Sequence, residues 1–466
     1  MDQRTVLRLV TEVPDRDGFP LVDDLHARFA ALAAAHPGQV TVTRIGTSRL
    51  GEPLHSYRIG SGSHAAVVVG GVHPNEPIGS WTALHLATWL LAGGTEELDV
   101  TWHVVPTIDP DGMRLNEAWF DDPYDRVHYA RHFYRPAPDS QVEWTFPNSH
   151  GSVYFDQVLP ETLAFMRLID DTEPDLLVSL HNGEMGGVYY YLSEDLPGVV
   201  DTLHAVPAAL GLPLDTGEPE SPFLRELAPA VFAMDGVERA YDYLESLGVD
   251  PAEHIHGASS AAWAMRHGAL CVVAELPYWS HPDADDQTPT AESYADLLRR
   301  CADDLGAVGV VLQDVLDAAT PLLTIETPFL EASRAFVPML AGMVETDRLR
   351  ADREPAARRA TVAERFGCED LVRCFGLRYG GMLLRALEAE TGAGTAPAPL
   401  RRLRDRLAAQ YALWQADAGT GAVPIPVATL VGVQFGAILA CAAHVVGDGT
   451  DAPRASRPSL ATTGGA

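Results

Sequence analysis

The sequence contains no lysine, so arginine supplies all 33 basic residues, against 64 acidic ones. The resulting net charge of -31 argues against nucleic acid as a partner, because phosphate binding depends on clustered basic side chains. Cysteine is also scarce. The five cysteines are odd in number, dispersed and mostly in apolar stretches, which favours reduced core thiols over a disulfide framework.

A targeting segment and a clear membrane span are missing as well. Residues 1–18 carry charges where a signal peptide needs an apolar core, so we expect a cytoplasmic protein. Residues 427–443 are almost long enough to cross a bilayer. Gln434, several small residues and the lack of a flanking basic cluster favour a buried or interface helix instead, and no membrane partner is expected. The oligomeric state stays open.

The length of 466 residues exceeds what a single core usually holds. Residues 328–445 read as helices, and residues 447–466 have the composition of a disordered tail. We therefore predict a catalytic domain over 1–320, a helical region over 321–446 and a disordered tail over 447–466.

The chain is organised around a strand, a turn and a helix that begin at residue 65. Residues 65–69 form an apolar, β-branched run that predicts a buried strand, and two glycines end it. His73 and Glu76 lie in the turn, and Pro77 suits the start of the following helix. An imidazole and a carboxylate at the carboxyl end of a buried strand suit a zinc ion with an open coordination position.

Two further apolar runs end in residues that can do chemistry. Residues 175–181 predict a buried strand that closes on His181, a third candidate ligand. Residues 269–276 predict another, with Glu275 near its end, where a buried charge is costly unless it is used. Residues 114–147 form a long aperiodic segment rich in aromatic, arginine and proline residues, and such loops are more often functional than idle.

Five motifs, taken in order, resemble those of the zinc carboxypeptidases, the carboxypeptidase A-like metallopeptidases. They are IGTSRLGEPL at 45–54, GGVHPNE at 70–76, DPDG at 109–112, SLHN at 179–182 and VVAEL at 272–276. The resemblance covers roughly residues 40–280 and does not reach the helices after about 320. It implies an α/β fold in which a mixed, twisted sheet of about eight strands is flanked by helices, here with a C-terminal helical extension.

The resemblance also implies roles for four residues. His73, Glu76 and His181 would bind one Zn²⁺ per chain and leave a fourth position for water. Glu275 would be the general base, which takes the proton of the water and passes it to the leaving amine. A buried ion pair with an arginine is the alternative for Glu275.

Other site residues follow less directly from the family pattern. Glu143 would orient His73 through its second ring nitrogen. Arg114 and Asn116 match an Arg-x-Asn element in which the arginine stabilises the oxyanion and the asparagine helps to bind substrate. Arg126, Arg131 and Arg135 lie in the same loop, and each could fill the role of the arginine or be a solvated surface residue.

The sequence departs from the family at two places. Where the family has the Asn-Arg pair that grips a terminal carboxylate, this chain has Thr145 and Phe146. Either Arg131 or Arg135 replaces the pair, or the substrate has no free α-carboxylate. His256 stands at or near the position of a mobile tyrosine and can donate a hydrogen bond and titrate near neutrality. The alternative is that His254 and His256 are ordinary polar residues of the loop. Tyr189 is expected to line the cleft.

These observations predict a zinc metallocarboxypeptidase-type hydrolase that cleaves a peptide or related amide, at the C-terminus of a small peptide. An N-acyl amino acid deacylase or amidase on the same site is a second possibility, although the DPDG motif argues against it. A non-catalytic binding protein that keeps the fold is the third, and the retention of three ligands together with a base argues against that.

Overall fold

The computed structural model describes residues 1–418 and 421–448. Most of the predicted disordered tail, residues 449–466, lies outside the described residues. Residues 447 and 448 are the last two of the final helix.

The helices fall into an N-terminal set of nine short or medium elements and a C-terminal set of long ones. The first set is α1 (Gln3–Val10), α2 (Val22–Ala35), α3 (Ile78–Leu91), α4 (Pro110–Arg114), α5 (Arg126–His132), α6 (Pro160–Thr172), α7 (Pro197–Leu210), α8 (Val237–Leu247) and α9 (Ser260–Met265). The second set is α10 (Tyr294–Ala319), α11 (Pro328–Arg353), α12 (Val362–Gly392), α13 (Ala398–Ala416) and α14 (Val427–Asp448).

Nine strands form the main sheet, and seven short ones form three small sheets. The strands are β1 (Val40–Thr47), β2 (Pro53–Ile59), β3 (His64–Val69), β4 (Val100–Val105), β5 (Asn148–His150), β6 (Val153–Phe155), β7 (Leu176–Ser179), β8 (Met185–Gly186), β9 (Tyr189–Leu192), β10 (Glu226–Ala228), β11 (Val231–Ala233), β12 (Leu270–Glu275), β13 (Trp279–Ser280), β14 (Pro289–Ser293), β15 (Arg359–Thr361) and β16 (Val423–Pro424).

The main sheet has the order β1-β2-β4-β3-β7-β12-β9-β11-β10. Its centre is parallel, since β3 pairs in parallel with β4 and β7, and β7 pairs in parallel with β12. Antiparallel pairing joins β1 to β2, β2 to β4 and β12 to β9. The predicted mixed sheet flanked by helices is confirmed, with nine strands rather than about eight.

The three central strands are apolar because both of their faces are covered. Alternate residues point to opposite sides: Val68, Val178 and Val272 belong to the core that includes α3 and α14, whereas Val67, Leu177 and Cys271 face α6 and α9. Because β3, β7 and β12 run parallel, their carboxyl ends meet at one edge of the sheet, where α/β folds place their ligands.

The last helix covers this sheet rather than extending away from it. α14 contacts α1, α3 and α7 as well as β12, β7 and β3. Gln434, its buried polar residue, accepts a hydrogen bond from Thr82 and donates one to the backbone oxygen of His181 at 2.7 Å. α14 and the segment Tyr294–Leu322 are both long and apolar enough to cross a membrane, but the most apolar stretch of α14 is 72% buried, as in a core helix.

The other C-terminal helices pack on one another and on the loop region of the catalytic part. α10 contacts α11 and α12, and α12 also contacts α13 and α5. All five cysteines are buried and unpaired. The domain division at residue 320 stays a prediction.

Candidate metal centre

Three candidate ligands from two strand ends converge on one point. One nitrogen of His73, one nitrogen of His181 and one oxygen of Glu76 all lie within 4.8 Å of one another, and all three residues are buried. His73 follows β3, His181 follows β7, and the parallel register of these strands sets them side by side. The sequence therefore specifies this cluster through its strand ends, although the residues are about a hundred positions apart.

The spacing of the donor atoms fits a single small cation. The two Nδ1 atoms are 3.1 Å apart, and Glu76 oxygens lie 3.1 Å from His73 Nδ1 and 3.2 Å from His181 Nδ1. Donors held about 2.0–2.1 Å from zinc at tetrahedral angles would lie roughly 3.4 Å apart. Two imidazoles and one carboxylate are also a donor set that zinc prefers, so the residues present fit a Zn²⁺ ion.

The electrostatics of the cluster also favour a cation. Burial and the nearby charge of Arg135 lower the pKa of His73 to about 3. Burial opposes protonation of His181 too, but its hydrogen bond to Glu76 and the charges of Glu76, Glu275 and Glu143 raise its pKa to about 9. Three buried carboxylates thus act together on His181 and stabilise a positive charge there.

Glu275 lies beside the triad at the end of β12. Its Oε1 is 3.8 Å from His181 Nδ1, and only 8% of the residue is exposed. Burial raises the pKa of Glu275 well above the ordinary value for a carboxyl group. Its charged neighbour within 4 Å is His181, so the alternative of an ion pair with an arginine receives no support from the described contacts.

Arg135 is the loop arginine that the structure brings to the triad. Its Nη2 donates to His73 Nε2 at 3.0 Å, and its Nη1 lies 3.3 Å from Glu76 Oε1. Gln141 Oε1 accepts from its Nε at 3.0 Å and fixes the guanidinium. A guanidinium cation is therefore held against two of the three candidate metal ligands.

The other predicted loop residues lie elsewhere, which corrects their placement. Arg114 ends α4 and binds Asp23 at 2.6 Å and Glu52 at 2.9 Å. Arg131 binds Glu388 at 2.6 Å. The α4 and α5 helices, which the sequence did not reveal, turn these side chains outward.

The side chains of Asn116 and Arg126 bond other residues of the protein and are not free to bind a substrate. Asn116 is fully buried, and its side chain bonds the backbone of Gly112 and Tyr134. Arg126 is buried and bonds Glu184 and Asp370. The predicted contact of Asn116 with substrate is not compatible with this burial.

Glu143 is buried next to the triad but holds a different group from the one predicted. Its Oε1 accepts hydrogen bonds from Ser260 N at 3.1 Å and Ser260 Oγ at 2.9 Å, and Ser260 Oγ lies 2.9 Å from Ser179 Oγ. Burial raises the pKa of Glu143, and its charge acts on His181. The described hydrogen bonds thus link Glu143 to Ser260 and, through that hydroxyl, to Ser179 of β7, and none of them joins it to His73.

The triad opens into a cavity of about 610 Å³. Glu275, Arg135, Tyr189, His254 and His256 line it, as predicted for Tyr189 and as required for any role of His256. His256 is exposed, and its backbone oxygen accepts from Asn148.

The missing carboxylate clamp is explained by burial. Thr145 Oγ1 bonds Thr162 and the backbone of Gln141, and Phe146 packs on Phe165 in the core. Neither side chain lines the cavity. These two positions therefore cannot bind a substrate carboxylate.

Sequence reasoning missed the side chains that α12 contributes to the cavity wall. Asp370, Leu371, Cys374 and Arg378 line it together with Glu184, which follows His181 by three residues. Glu184 could have been suspected from that proximity. The sequence of α12 carries no motif that would have placed it at the site.

Part of the chain matches a known protein family. Residues 25–209 match the family model described as zinc carboxypeptidase, which confirms the resemblance found in the sequence. A comparison with the curated proteins gave no match.

Solved structures with similar folds include three carboxypeptidase-related proteins. Bovine thrombin-activatable fibrinolysis inhibitor, in complex with tick carboxypeptidase inhibitor, is 13% identical over 55% of this chain and 86% of its own, with a TM-score of 0.38. Carboxypeptidase A from Helicoverpa armigera is 14% identical over 75% and 79%, with a TM-score of 0.36. A metallo-carboxypeptidase from Burkholderia cenocepacia is 18% identical over 55% and 60%, with a TM-score of 0.32. Similarity at this level does not establish a shared activity.

Proposed function

We propose that this chain, whose residues 25–209 match the zinc carboxypeptidase family, is a zinc-dependent hydrolase that cleaves a peptide or related amide bond. The observation that carries the proposal is the convergence of His73, Glu76 and His181 beside a fourth buried residue, the acid Glu275. A purely structural ion site would have no use for a buried acid at that point.

His73, Glu76 and His181 would hold the ion. Zinc bound by three protein ligands acts as a Lewis acid and makes water reactive at neutral pH. Gln434 supports the arrangement by holding the backbone of His181, and the charge of Glu143 helps to raise the pKa of the same residue.

Glu275 would move the proton. In the attack step it accepts a proton from water, and the burial that raises its pKa makes it a stronger base than an exposed carboxylate. It then donates the proton to the nitrogen of the leaving amine. Arg135 donates to the carbonyl oxygen as negative charge develops there.

The substrate is expected to differ from that of a conventional carboxypeptidase. Thr145 and Phe146 cannot grip a terminal carboxylate, and the acidic side chains lining the cavity outnumber its two arginines, Arg135 and Arg378. This favours peptides or amides whose binding does not depend on a free α-carboxylate, and it keeps the amidase reading as the second candidate.

The Glu275→Gln variant tests the assignment. We expect it to bind one zinc per chain like the parent protein and to lose turnover by about 10²–10⁴-fold, because the amide cannot accept the proton. Glu345→Gln, an exposed acid on α11, is the matched control and should keep parental turnover. Persisting activity in Glu275→Gln would show that the assigned base is wrong.

The substrate screen uses acylated dipeptides with free and with amidated C-termini, together with metal analysis. Hydrolysis of both forms supports a peptidase without a carboxylate requirement, and hydrolysis of the blocked forms alone supports an amidase. A protein that binds no zinc and turns over none of them would be a binding protein, and the proposal would fail.

A further inference from the structure

One face of α12 forms part of the wall of the metal-site cavity. Phe366, Gly367, Asp370, Leu371, Cys374 and Arg378 line the cavity, and their spacing of three or four residues places them on one side of the helix. This helix begins at residue 362, far beyond the part of the chain that matches the family at 25–209. The cavity therefore includes a wall that lies outside the matched residues.

Four buried charges fix this wall to the loop after His181. Glu184 accepts from Arg126 Nε at 2.7 Å and from Arg378 Nε at 2.6 Å. Arg126 also binds both oxygens of Asp370, at 2.8 and 2.9 Å. The two positive charges of the arginines equal the two negative charges of the carboxylates, so these buried ion pairs hold α12 in place without an uncompensated charge.

This pairing decides what α12 can offer to a substrate. Asp370 and Glu184 have both oxygens engaged, so the remaining groups on this face are chiefly apolar. Phe366 is stacked on His281 with ring centres 4.2 Å apart. Leu371 lines the cavity with 39% of its surface exposed, so this face of α12 offers an open apolar side chain to whatever occupies the cavity.

We propose that α12 is the specificity wall of this site and that Leu371 contacts an uncharged, apolar group of the substrate and limits its size. The proposal deepens the proposed hydrolase function and rests on it. It assigns to the C-terminal helices a role in substrate selection.

Leu371→Trp tests the proposal, since the larger ring would project into the cavity. Two series of acylated dipeptides are used, one with C-terminal alanine, leucine or tryptophan, the other with acetyl, benzoyl or naphthoyl groups. We expect kcat/KM for the largest member of at least one series to fall by roughly tenfold or more relative to the smallest. Leu413→Trp, at an exposed leucine of α13 outside the cavity, should leave the size preference unchanged. An unaltered size preference in Leu371→Trp would overturn the proposal.

A second measurement does not depend on turnover. All five native cysteines are buried, and replacing Cys374, which lines the cavity, by alanine lets a bimane fluorophore be attached selectively at Leu371→Cys or Leu413→Cys in the Glu275→Gln background. Addition of benzoyl-glycyl-phenylalanine, free or amidated, should shift the emission at position 371 and not at 413. No shift at 371, or equal shifts at both, contradicts the role of α12. If the label at position 371 responds but the parent protein does not hydrolyse the peptide, the hydrolase function fails and the role of α12 in binding stands.

Discussion

At the residue scale, Arg135 differs from the other arginines of its loop in its contacts. It contacts His73 and Glu76, whereas Arg131 forms a partly exposed ion pair with Glu388. We expect Arg135→Gln to lower kcat by about 10²–10³-fold, because a donor to the developing oxyanion is lost.

Arg131→Gln is the matched control for Arg135→Gln, since both residues were equal candidates in the sequence. Steady-state kinetics on one acylated dipeptide should give parental kcat for Arg131→Gln, and zinc content should be unchanged in both. Equal losses in the two variants would mean that Arg135 has no special part in the reaction.

His85 provides a test of stability against pH. Burial and the charge of Arg16 lower its pKa in the folded state to about 4, from an ordinary value near 6.5. Below pH 6.5 the unfolded chain takes up a proton that the folded chain does not, so this contribution to stability is complete above pH 6.5 and is lost as pH falls towards 4.

His85→Phe keeps a ring against Phe435, whose centre lies 4.7 Å away, and removes the proton uptake. Urea unfolding at pH 7 and pH 5 should show a smaller loss of stability in the variant, by at most about 1.4 kcal/mol per pH unit. Identical losses in the two proteins would contradict the shifted pKa.

The sequence predicted the strand-end residues of the site and mispredicted the loop ones for a physical reason. His73, His181 and Glu275 follow apolar strands, and the geometry of a parallel sheet brings strand ends together without further information. Arg114 and Asn116 depend on the short helices and turns inside the segment 114–147, whose direction no periodicity reveals. The partner of Glu143 was missed because Ser260 comes from α9, more than a hundred residues later.

At the element scale, the buried Arg126 is one of the links between α5 and α12. Arg126→Gln would leave Glu184 and Asp370 with an uncompensated charge between them. We expect the free energy of unfolding to fall by about 3–5 kcal/mol, as for other buried ion networks from which one partner is removed.

Arg348→Gln supplies the comparison, because Arg348 and Asp303 form an ion pair between exposed side chains. Removing it should cost less than about 1 kcal/mol. Urea titrations of the two variants and the parent measure both values. If Arg126→Gln were as mild as Arg348→Gln, the network would not hold α12 in place.

How well an element could be placed from the sequence depends on its hydrophobic pattern. β3, β7 and β12 are continuous apolar runs and were placed from the sequence. α12 and α14 were predicted as helices, but a helical pattern does not say what a helix packs against. Gln434 argued against a membrane helix in the sequence, and the structure gives it a partner at the site, the backbone of His181.

At the scale of the whole molecule, the net charge of -31 and the acidic lining of the cavity act in the same direction. Both repel anionic substrates, and salt screens this repulsion over roughly 10 Å at 0.1 M. We expect acylated dipeptides with glutamine at the C-terminal position to be hydrolysed faster than those with glutamate, and the ratio to shrink as salt is added.

Measurement of kcat/KM for both peptides between low and high ionic strength checks this expectation. The amidated forms of the same peptides remove the contribution of the α-carboxylate and serve as the control. A preference for glutamate, or a ratio that salt does not change, would mean that local contacts outweigh the overall field.

The position of α14 has a consequence for how the protein is made. The sheet and the residues of the metal centre leave the ribosome long before residues 427–448 are synthesised, yet that helix covers the apolar face of β3, β7 and β12 and holds the backbone of His181. The part of the apolar face that α14 covers therefore stays uncovered until this helix is made, and the packing around His181 is complete only once residues 427–448 have been added.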